Sequence, residues 1–279
     1  MEQSHRGHDG DYLNPAENAA LAVFQSACDT ICPFALNYLS MLDFSRFEVL
    51  TFDCYGTLIN WEAGILPALQ HILGKHARTA DDALLLKLYG DFEQRAEAGN
   101  FQSYREVLAS VVRQFGEEFE FKPSSEEISS LAASLPRWKP WPDTVEALRR
   151  LKTRFRLAIV SNVDDDLFAA TRPQLGVEFD EIITAQQAQA YKPSLKIFEL
   201  ALSRIHAPAH RVLHAGQSLY HDVIPAQALG LATVWVNRPS ARPGVGAVKS
   251  AEATPDLTVT SLYDLADAAT TAQSVRPEA

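Results

Sequence analysis

The sequence predicts an α/β fold: an open, doubly wound parallel sheet that carries an inserted helical cap domain. Unbroken apolar runs of strand length alternate along the chain with segments whose apolar residues recur at helical spacing. This alternation implies right-handed crossovers and a parallel sheet with helices on both faces. A third observation predicts the inserted domain: residues 63–142 show helical spacing without a strand pattern, whereas a crossover between parallel strands needs only about a dozen residues.

Five apolar runs are predicted to be strands that are buried on both faces of the sheet. The first, at 47–53, ends in Asp53, and the second, at 155–162, ends in Ser161 and Asn162. In such a sheet the ligand site lies beyond the carboxyl ends of the strands. The polar residues that end these runs are therefore the first candidates for a functional site. The other three predicted strands are 181–185, 211–216 and 232–237.

The helices are predicted from apolar spacing and from capping residues. Ser103 and Ser124 stand where two helices of the insert would need N-caps. The segment 136–143, rich in Pro and Trp, is predicted to be the hinge through which the insert rejoins the sheet. The predicted helices cover 80–99, 103–119 and 124–135 in the insert, and 143–154 and 194–205 beside the sheet.

These elements divide the chain into three predicted regions. The core domain comprises 46–62 together with 143–279, and the helical cap domain comprises 63–142. Residues 1–45 form an N-terminal extension with one helical pattern, interrupted at Pro33. The sequence leaves open whether this extension is helical or partly disordered.

Charge and composition exclude several classes of function. A formal net charge of −10 argues against a broad phosphate-binding surface, so no nucleic-acid partner is expected. No apolar run approaches the roughly 20 residues that cross a bilayer, and the N-terminus lacks a signal pattern. We therefore expect a cytoplasmic protein without a membrane partner. Cys28, Cys32 and Cys54 lack the number and spacing of a disulfide framework or a zinc site and are predicted to be reduced thiols.

Four motifs at predicted strand ends resemble those of the haloacid dehalogenase superfamily. They are FDCYGTL at 52–58, VSN at 160–162, YKP at 191–193 and GQSLYHD at 216–222. The resemblance covers roughly residues 44–265 and is strongest to the (S)-2-haloacid dehalogenase (type II) branch. It implies a Rossmann-like core with an inserted cap domain, and an enzyme of the haloacid dehalogenase-like hydrolase type.

The resemblance implies catalytic roles for four residues. Asp53 would be the nucleophile that forms a covalent ester. Lys192 would keep Asp53 ionised and oriented, since a nearby ammonium group favours the charged carboxylate. Thr57 belongs to the same motif as the nucleophile, and Asp222 would help to position Lys192 and the hydrolytic water.

Six further residues are implied to bind the substrate: Tyr55, Ser161, Asn162, Gln217, Ser218 and His221. Ser161 and Asn162 would offer short donors to an anionic group, and His221 stands where an aromatic residue often lines the halide pocket. Arg95 and Arg105 are candidates for the cap arginine that usually holds the halide, although each also fits an exposed helix position. The chain departs from the branch at Phe198, where a tyrosine is usual, and at Leu219, where an asparagine is usual.

Tyr55 and Gln217 distinguish two kinds of reaction. Phosphatases of this superfamily usually carry acids at both positions, one as the proton donor and one as a magnesium ligand. A halide leaves without a proton, so displacement at carbon needs neither group. The resemblance and these two positions predict metal-independent removal of halogen from a short 2-halo carboxylic acid, with no cofactor.

Two alternatives stay open at this point. A Mg²⁺-dependent phosphatase of a small phosphorylated metabolite would use Asp53, Thr57, Ser161 and Lys192 in similar roles. A catalytically silent binding protein is the other alternative, because motif four carries substitutions. In either enzyme reading the partner is a small-molecule substrate, and the resemblance implies a homodimer.

Overall fold

The computed structural model describes residues 42–238 and 251–271. The prediction for the extension at 1–45 therefore falls almost wholly outside the described residues, as do the predictions for Cys28 and Cys32. No helix in the described ranges is long and apolar enough to cross a membrane.

Six parallel strands form one sheet, and this confirms the predicted fold class. The five predicted strands are all present within one or two residues of their expected ends, and the sheet order is β3-β2-β1-β4-β5-β6. The order places β1 between β2 and β4, the centre of the doubly wound arrangement. The strands are β1 (Val49–Phe52), β2 (Arg156–Ser161), β3 (Glu181–Thr184), β4 (Val212–Gly216), β5 (Ala232–Val236) and β6 (Leu257–Val259).

The central strand is buried along its whole length because the sheet is covered on both faces. All four residues of β1 are buried, and Phe52 pairs with Ile159 on one side and with Ala215 on the other. The N–H of Asp53 continues this ladder by donating to the Ala215 carbonyl at 3.0 Å. The backbone of Asp53 is therefore fixed between the carboxyl ends of two neighbouring strands.

Four helices fill the insert between β1 and the next strand. Ser103 and Ser124 are the N-caps of the third and fourth, as predicted, and Ser124 forms a capping box with Glu127. The first helix was missed: it begins at Trp61, with Asn60 as its N-cap, two residues before the boundary predicted for the cap. The helices are α1 (Trp61–Lys75), α2 (Asp82–Glu97), α3 (Tyr104–Glu118) and α4 (Ser125–Ser134).

Within residues 42–238 and 251–271, six more helices flank the sheet, and a π-helical turn at Leu219–Val223 precedes one of them. Helices α5 and α8 agree with the two predicted here. The others were not predicted, and neither was strand β6. The helices are α5 (Thr144–Lys152), α6 (Asp165–Thr171), α7 (Ala185–Ala188), α8 (Leu195–Ile205), α9 (Ile224–Ala228) and α10 (Leu262–Thr271).

The predicted hinge is tied to the loop that follows β1. Trp141 Nε1 donates to the Gly56 carbonyl at 3.0 Å, and Trp138 is buried against α1 beside Gly64. Arg238 donates twice to the Thr57 carbonyl, at 3.1 and 2.9 Å, and once to Asp143 at 2.6 Å. These contacts fix the backbone of the β1 loop from the side of the hinge.

Candidate active site

Both carboxylate oxygens of Asp53 have hydrogen-bond partners. Thr57 Oγ1 donates to Oδ2 at 2.8 Å, and Lys192 Nζ donates to Oδ1 at 2.8 Å. The Thr57 hydroxyl also accepts from the Gln217 N–H at 2.8 Å. Since a hydroxyl has one hydrogen, this bond directs that hydrogen toward Asp53. Thr57 is fully buried, and its hydroxyl orients the Asp53 carboxylate.

The ammonium group of Lys192 lies between two carboxylates. Its three hydrogen bonds go to Asp53 Oδ1 at 2.8 Å, Asp222 Oδ1 at 2.6 Å and the Val160 carbonyl at 3.0 Å. An ammonium group has three N–H donors, so none is left for a substrate. Burial acts to lower the pKa of Lys192, but the two carboxylates outweigh it and raise the pKa to about 12. Lys192 is therefore charged throughout the physiological range.

Asp222 is held in place by neighbours on three sides. Besides Lys192, its Oδ1 lies 3.2 Å from His214 Nε2, and its Oδ2 accepts from the Ser218 N–H at 3.1 Å. Burial acts to raise the pKa of Asp222, but the Lys192 charge and the His214 ring hold the pKa well below its usual value. Asp222 is consequently a weak proton acceptor, and its contacts make it a positioning residue for Lys192.

Ser161 and Asn162 end β2 beside the same carboxylate but have different environments. Asn162 brackets the backbone of Lys192: its Oδ1 accepts from the Lys192 N–H at 2.7 Å, and its Nδ2 donates to the Lys192 carbonyl at 3.2 Å. The hydroxyl of Ser161 is 99% buried, and no described residue is its hydrogen-bond partner. A buried polar group of this kind is costly unless a ligand satisfies it.

Tyr55 and Gln217 lie near Asp53 without supplying an acid or an ion site. The Tyr55 hydroxyl shares a 2.8 Å hydrogen bond with Thr171, and burial raises its pKa well above the usual value. The residues do not fit a magnesium ion, which prefers carboxylate oxygens: position 217 is a neutral amide, and both oxygens of Asp222 already accept hydrogen bonds. In the described ranges, no group of three or more His, Cys, Asp or Glu is placed to hold a metal ion.

A cavity of about 70 Å³ lies over Asp53. Every predicted site residue except Thr57 lines it. Ser218 also caps the π-helical turn, because its Oγ accepts from the His221 N–H at 3.0 Å. The lining residues are Asp53, Tyr55, Trp61, Glu93, Glu97, Tyr104, Ser161, Asn162, Lys192, Gln217, Ser218, His221 and Asp222.

Four of these lining residues come from the insert, and the sequence analysis did not single out any of them. Trp61 begins α1, Glu93 and Glu97 lie on α2, and Tyr104 begins α3. Glu93 Oε1 accepts from the hydroxyls of Tyr89 at 2.9 Å and Tyr104 at 2.6 Å. No described residue forms a hydrogen bond or an ion pair with Glu97. The insert thus closes the cavity with aromatic rings and two carboxyl groups.

A signal for the two acids exists in the sequence. Leu86 and Tyr89 are buried positions on α2, and Glu93 and Glu97 continue the same stripe at intervals of four residues. Acids that continue an apolar stripe face the interior and not the solvent.

Neither arginine proposed to hold the halide lines the cavity. Arg95 is exposed and lies over the ring of Phe92, with its guanidinium carbon 4.7 Å from the ring centroid. Arg105 forms an exposed ion pair with Asp166. Each arginine thus has the exposed helix position that was the alternative to halide binding, because its side chain leaves its helix on the solvent side.

The two departures from the branch pattern also have defined positions. Phe198 is buried with its ring 4.9 Å from that of His214 in an edge contact, and so it packs behind the Asp222 network. Leu219 is half-buried in the π-helical turn and does not line the cavity. Position 198 therefore lacks a tyrosine hydroxyl, and position 219 lacks an asparagine amide.

Comparison with known proteins agrees with the fold and with the arrangement of the motifs. The model of the haloacid dehalogenase-like hydrolase family matches residues 47–230. Haloacetate dehalogenase H-2 of Moraxella sp. (strain B) is 27% identical over 199 residues, which cover 69% of this chain and 87% of that protein. An (S)-2-haloacid dehalogenase of Pseudomonas fluorescens is 22% identical and covers 77% of this chain and 93% of its own length.

The solved structures give the same result for the fold. The crystal structure of the L-2-haloacid dehalogenase PA0810 superposes with a TM-score of 0.70 at 23% identity, over 81% of this chain and 99% of that one. The family match spans β1 through the end of α9, and thus includes all four motifs and the insert. The chain belongs to the haloacid dehalogenase-like hydrolases.

Proposed function

We propose that this hydrolase removes the halogen from a short 2-halo carboxylic acid through an ester on Asp53, without a metal ion. The observation that carries the proposal is the neutral pair at positions 55 and 217. Among the described residues, it leaves Asp53 with an ammonium and a hydroxyl as its only side-chain hydrogen-bond partners. Support comes also from the relatives, which act on haloacetate and on (S)-2-halo acids.

In the first step a carboxylate oxygen of Asp53 attacks C2 of the substrate. A C–O bond forms, the carbon–halogen bond breaks, and the halide leaves with the bonding electrons. A halide is a weak base, so this step needs no proton donor. Ser161 offers its free hydroxyl to the substrate carboxylate, while Thr57 and Lys192 hold the nucleophile in position.

In the second step water attacks the Cγ atom of the Asp53 ester. The bond between Cγ and the ester oxygen breaks, the hydroxy acid leaves with one hydrogen from the water, and the carboxyl group of Asp53 loses its proton. Lys192 favours this last ionisation because its ammonium lies 2.8 Å from Oδ1. Asp222 keeps Lys192 in place and has too low a pKa to be an efficient base.

The test measures free halide from short 2-halo acids in the presence of EDTA, together with the intact mass of the protein. We expect halide release and a transient mass increase equal to the substrate acid minus hydrogen halide. Both should be lost in Asp53→Asn. Absence of halide from every short 2-halo acid, whatever its side chain, contradicts the proposal. Turnover of p-nitrophenyl phosphate that depends on Mg²⁺ would establish the phosphatase instead. Ligand binding that is indifferent to Asp53→Asn would favour a silent binding protein.

A further inference from the structure

The cavity over Asp53 has an unusual distribution of charge. Lys192 is the only lysine or arginine among the described residues that line it, and its three donors are already used. Asp53 and Asp222 share that single ammonium group. Glu93 and Glu97 on α2 add two further carboxyl groups to its lining. No described lysine or arginine forms a direct ion pair with either, although the charge of Lys192 acts on Glu97.

This distribution disfavours a substrate that carries only negative charge. A simple 2-halo acid is a monoanion, and it would enter a cavity whose acids already outnumber its cations. Burial raises the pKa of Glu97 well above its usual value, and the neighbouring Glu93 adds to this effect. Two desolvated acids side by side are costly to keep, so an occupant that neutralises them would bind favourably.

Two unpaired donors show that the cavity is built to receive a ligand. Trp61 Nε1 and Ser161 Oγ are buried, they line the cavity, and no described residue accepts a hydrogen bond from either. The residue Trp61 is 92% buried and Ser161 is 99% buried. The indole N–H is a donor only and the serine hydroxyl can donate or accept, so both groups can bind an acceptor such as a carboxylate oxygen.

The cavity is therefore lined by two kinds of polar group. Buried donors without a described partner lie on Ser161 and Trp61, and carboxyl groups without a direct ion pair among the described residues lie on α2. We propose that the substrate is a short 2-halo acid whose side chain carries a protonated amino group, with its ammonium bound by Glu93 and Glu97. This inference rests on the proposed function, because it names the class of halo acid on which Asp53 acts.

The two acids that would bind the ammonium group have different surroundings. Glu93 is oriented by Tyr89 and Tyr104, which both donate to its Oε1 and leave Oε2 for a ligand. Glu97 has no hydrogen-bond donor among the described residues, and it also lines the outer cleft of about 450 Å³ between the insert and the Lys192 loop. Lys192 and Lys196 also line that cleft, but Lys196 does not line the inner cavity. Glu97 thus borders both the cleft and the cavity.

The test compares three substrates of similar size that differ in side-chain charge. They are 3-amino-2-chloropropanoate, 2-chlorobutanoate and chlorosuccinate, with halide release measured at pH 7 and the uncatalysed rate subtracted. We expect kcat/KM to be about ten- to a hundredfold higher for the amino compound than for 2-chlorobutanoate, the range of a hydrogen bond to a charged group. Chlorosuccinate should be the poorest of the three.

Variants assign the preference to its residues. Glu97→Gln keeps the shape and hydrogen-bonding capacity of the side chain but removes its charge. The ratio of kcat/KM for 3-amino-2-chloropropanoate to kcat/KM for 2-chlorobutanoate should therefore fall toward one. Glu118→Gln is the matched control, because Glu118 is an exposed glutamate of α3 that does not line the cavity. That control should keep the wild-type ratio. Equal rates for the first two substrates, or an unchanged ratio in Glu97→Gln, overturns the inference while the proposed function stands.

A binding experiment decides the matter without turnover. Calorimetric titration with the corresponding products, 3-amino-2-hydroxypropanoate, 2-hydroxybutanoate and malate, should give the tightest binding for the amino acid, and Glu97→Gln should abolish this difference. If no substrate releases halide, the proposed function fails, and the titrations still report on the ammonium site. If the amino product binds no better than 2-hydroxybutanoate, the inference is wrong.

Discussion

Two opposing effects act on the ionisation of Asp53. Burial disfavours the carboxylate, whereas the Lys192 ammonium and the Thr57 hydroxyl favour it, and on balance the pKa lies above its usual value of 3.8. A nucleophile needs to be ionised, but one that is too well stabilised attacks poorly. Burial thus outweighs the favourable contacts at Asp53, whereas the Lys192 charge and the His214 ring lower the pKa of Asp222.

The pH dependence of activity should show this balance. Because protonated Asp53 is no nucleophile, kcat/KM for halide release should fall with decreasing pH through a value above 3.8. Thr57→Val removes a donor that favours the carboxylate, so the acid limb should move to higher pH, by about one to two units. Thr144→Val is the control, since Thr144 is equally buried but donates to the Leu58 carbonyl and does not touch Asp53. A shift to lower pH in Thr57→Val would refute this account.

The buried ion network should also matter for stability. Lys192→Met leaves Asp53 and Asp222 without their shared cation, and we expect a loss of about 3–5 kcal/mol in the free energy of unfolding. Urea titration measures this loss. Adding Asp222→Asn should recover part of it, since one of the two unpaired charges is then gone. Lys152→Met, which breaks a half-exposed pair with Asp180, should cost about 1 kcal/mol or less. Equal losses of unfolding free energy in Lys192→Met and Lys152→Met would contradict the prediction that the buried ion network stabilises the fold.

Prediction from sequence was strongest where a residue's place follows from the strand that carries it. Asp53, Ser161 and Asn162 end apolar runs, and parallel strands bring their carboxyl ends to one edge, so their convergence could be foreseen. Glu93 and Glu97 reach the cavity only through the packing of the insert over the sheet. That packing depends on contacts far apart in the chain, and helical spacing alone does not specify them.

At the scale of elements, the turn after β4 depends on close packing of its backbone against Asp222. A Cβ atom on Gly216 would lie 2.3 Å from Asp222 Cγ and 2.4 Å from Oδ2. Such contacts are far inside van der Waals distance, so a side chain here must push the carboxylate away. The position of Asp222, and through it that of Lys192, thus requires glycine at the last residue of the strand.

Gly216→Ala should therefore inactivate the enzyme without touching the substrate. We expect halide release to fall by roughly a hundredfold or more, because a displacement of about 1 Å in supporting groups can cost that much. Gly74→Ala is the matched control: no atom lies within 4 Å of its added Cβ, and alanine in a helix should stabilise by about 0.5–1 kcal/mol. Wild-type turnover in Gly216→Ala would show that Asp222 can move freely.

Several of the elements that were not predicted are short, whereas α1 and α10 were missed although they have 15 and 10 residues. Strand β6 has three residues and α9 has five, with a proline near its start. Neither is long enough for a periodic pattern to stand out. The π-helical turn at 219–223 depends on Ser218, whose carbonyl accepts from both Asp222 and Val223, at 2.9 and 3.3 Å. Long periodic helices such as α3 were predicted almost to the residue, because spacing and a serine cap agree there.

For the molecule as a whole, one core aspartate ties the insert to the sheet. Asp164 follows β2. It is the N-cap residue of α6, but its side chain forms no cap bond there. Instead its two oxygens accept from the backbone N–H groups of Tyr104 and Arg105 at 2.8 and 2.9 Å, and so a core residue caps the insert helix α3.

This contact should control how the cap closes over the cavity. Tyr104 both receives the Asp164 contact through its N–H and lines the cavity with its ring. If Asp164 is replaced by alanine, α3 loses its anchor to the core, and the wall that carries Tyr104 is released. Closure excludes water and completes the site in enzymes with mobile lids. We therefore expect kcat/KM for halide release to fall roughly ten- to a hundredfold in Asp164→Ala.

Ser103→Ala is the comparison that separates anchoring from capping. Ser103 Oγ accepts from the Glu106 N–H at 3.3 Å, so its removal weakens the same end of α3 without breaking a bond to the core. Each variant should cost about 1–2 kcal/mol in urea unfolding, but only Asp164→Ala should lower kcat/KM and expose the Tyr104 and Arg105 amides to rapid hydrogen exchange. Similar kinetics in the two variants would mean that other contacts hold the insert against the core. Ser103 stabilises only its own helix, whereas the Asp164 anchor is expected to act on the site.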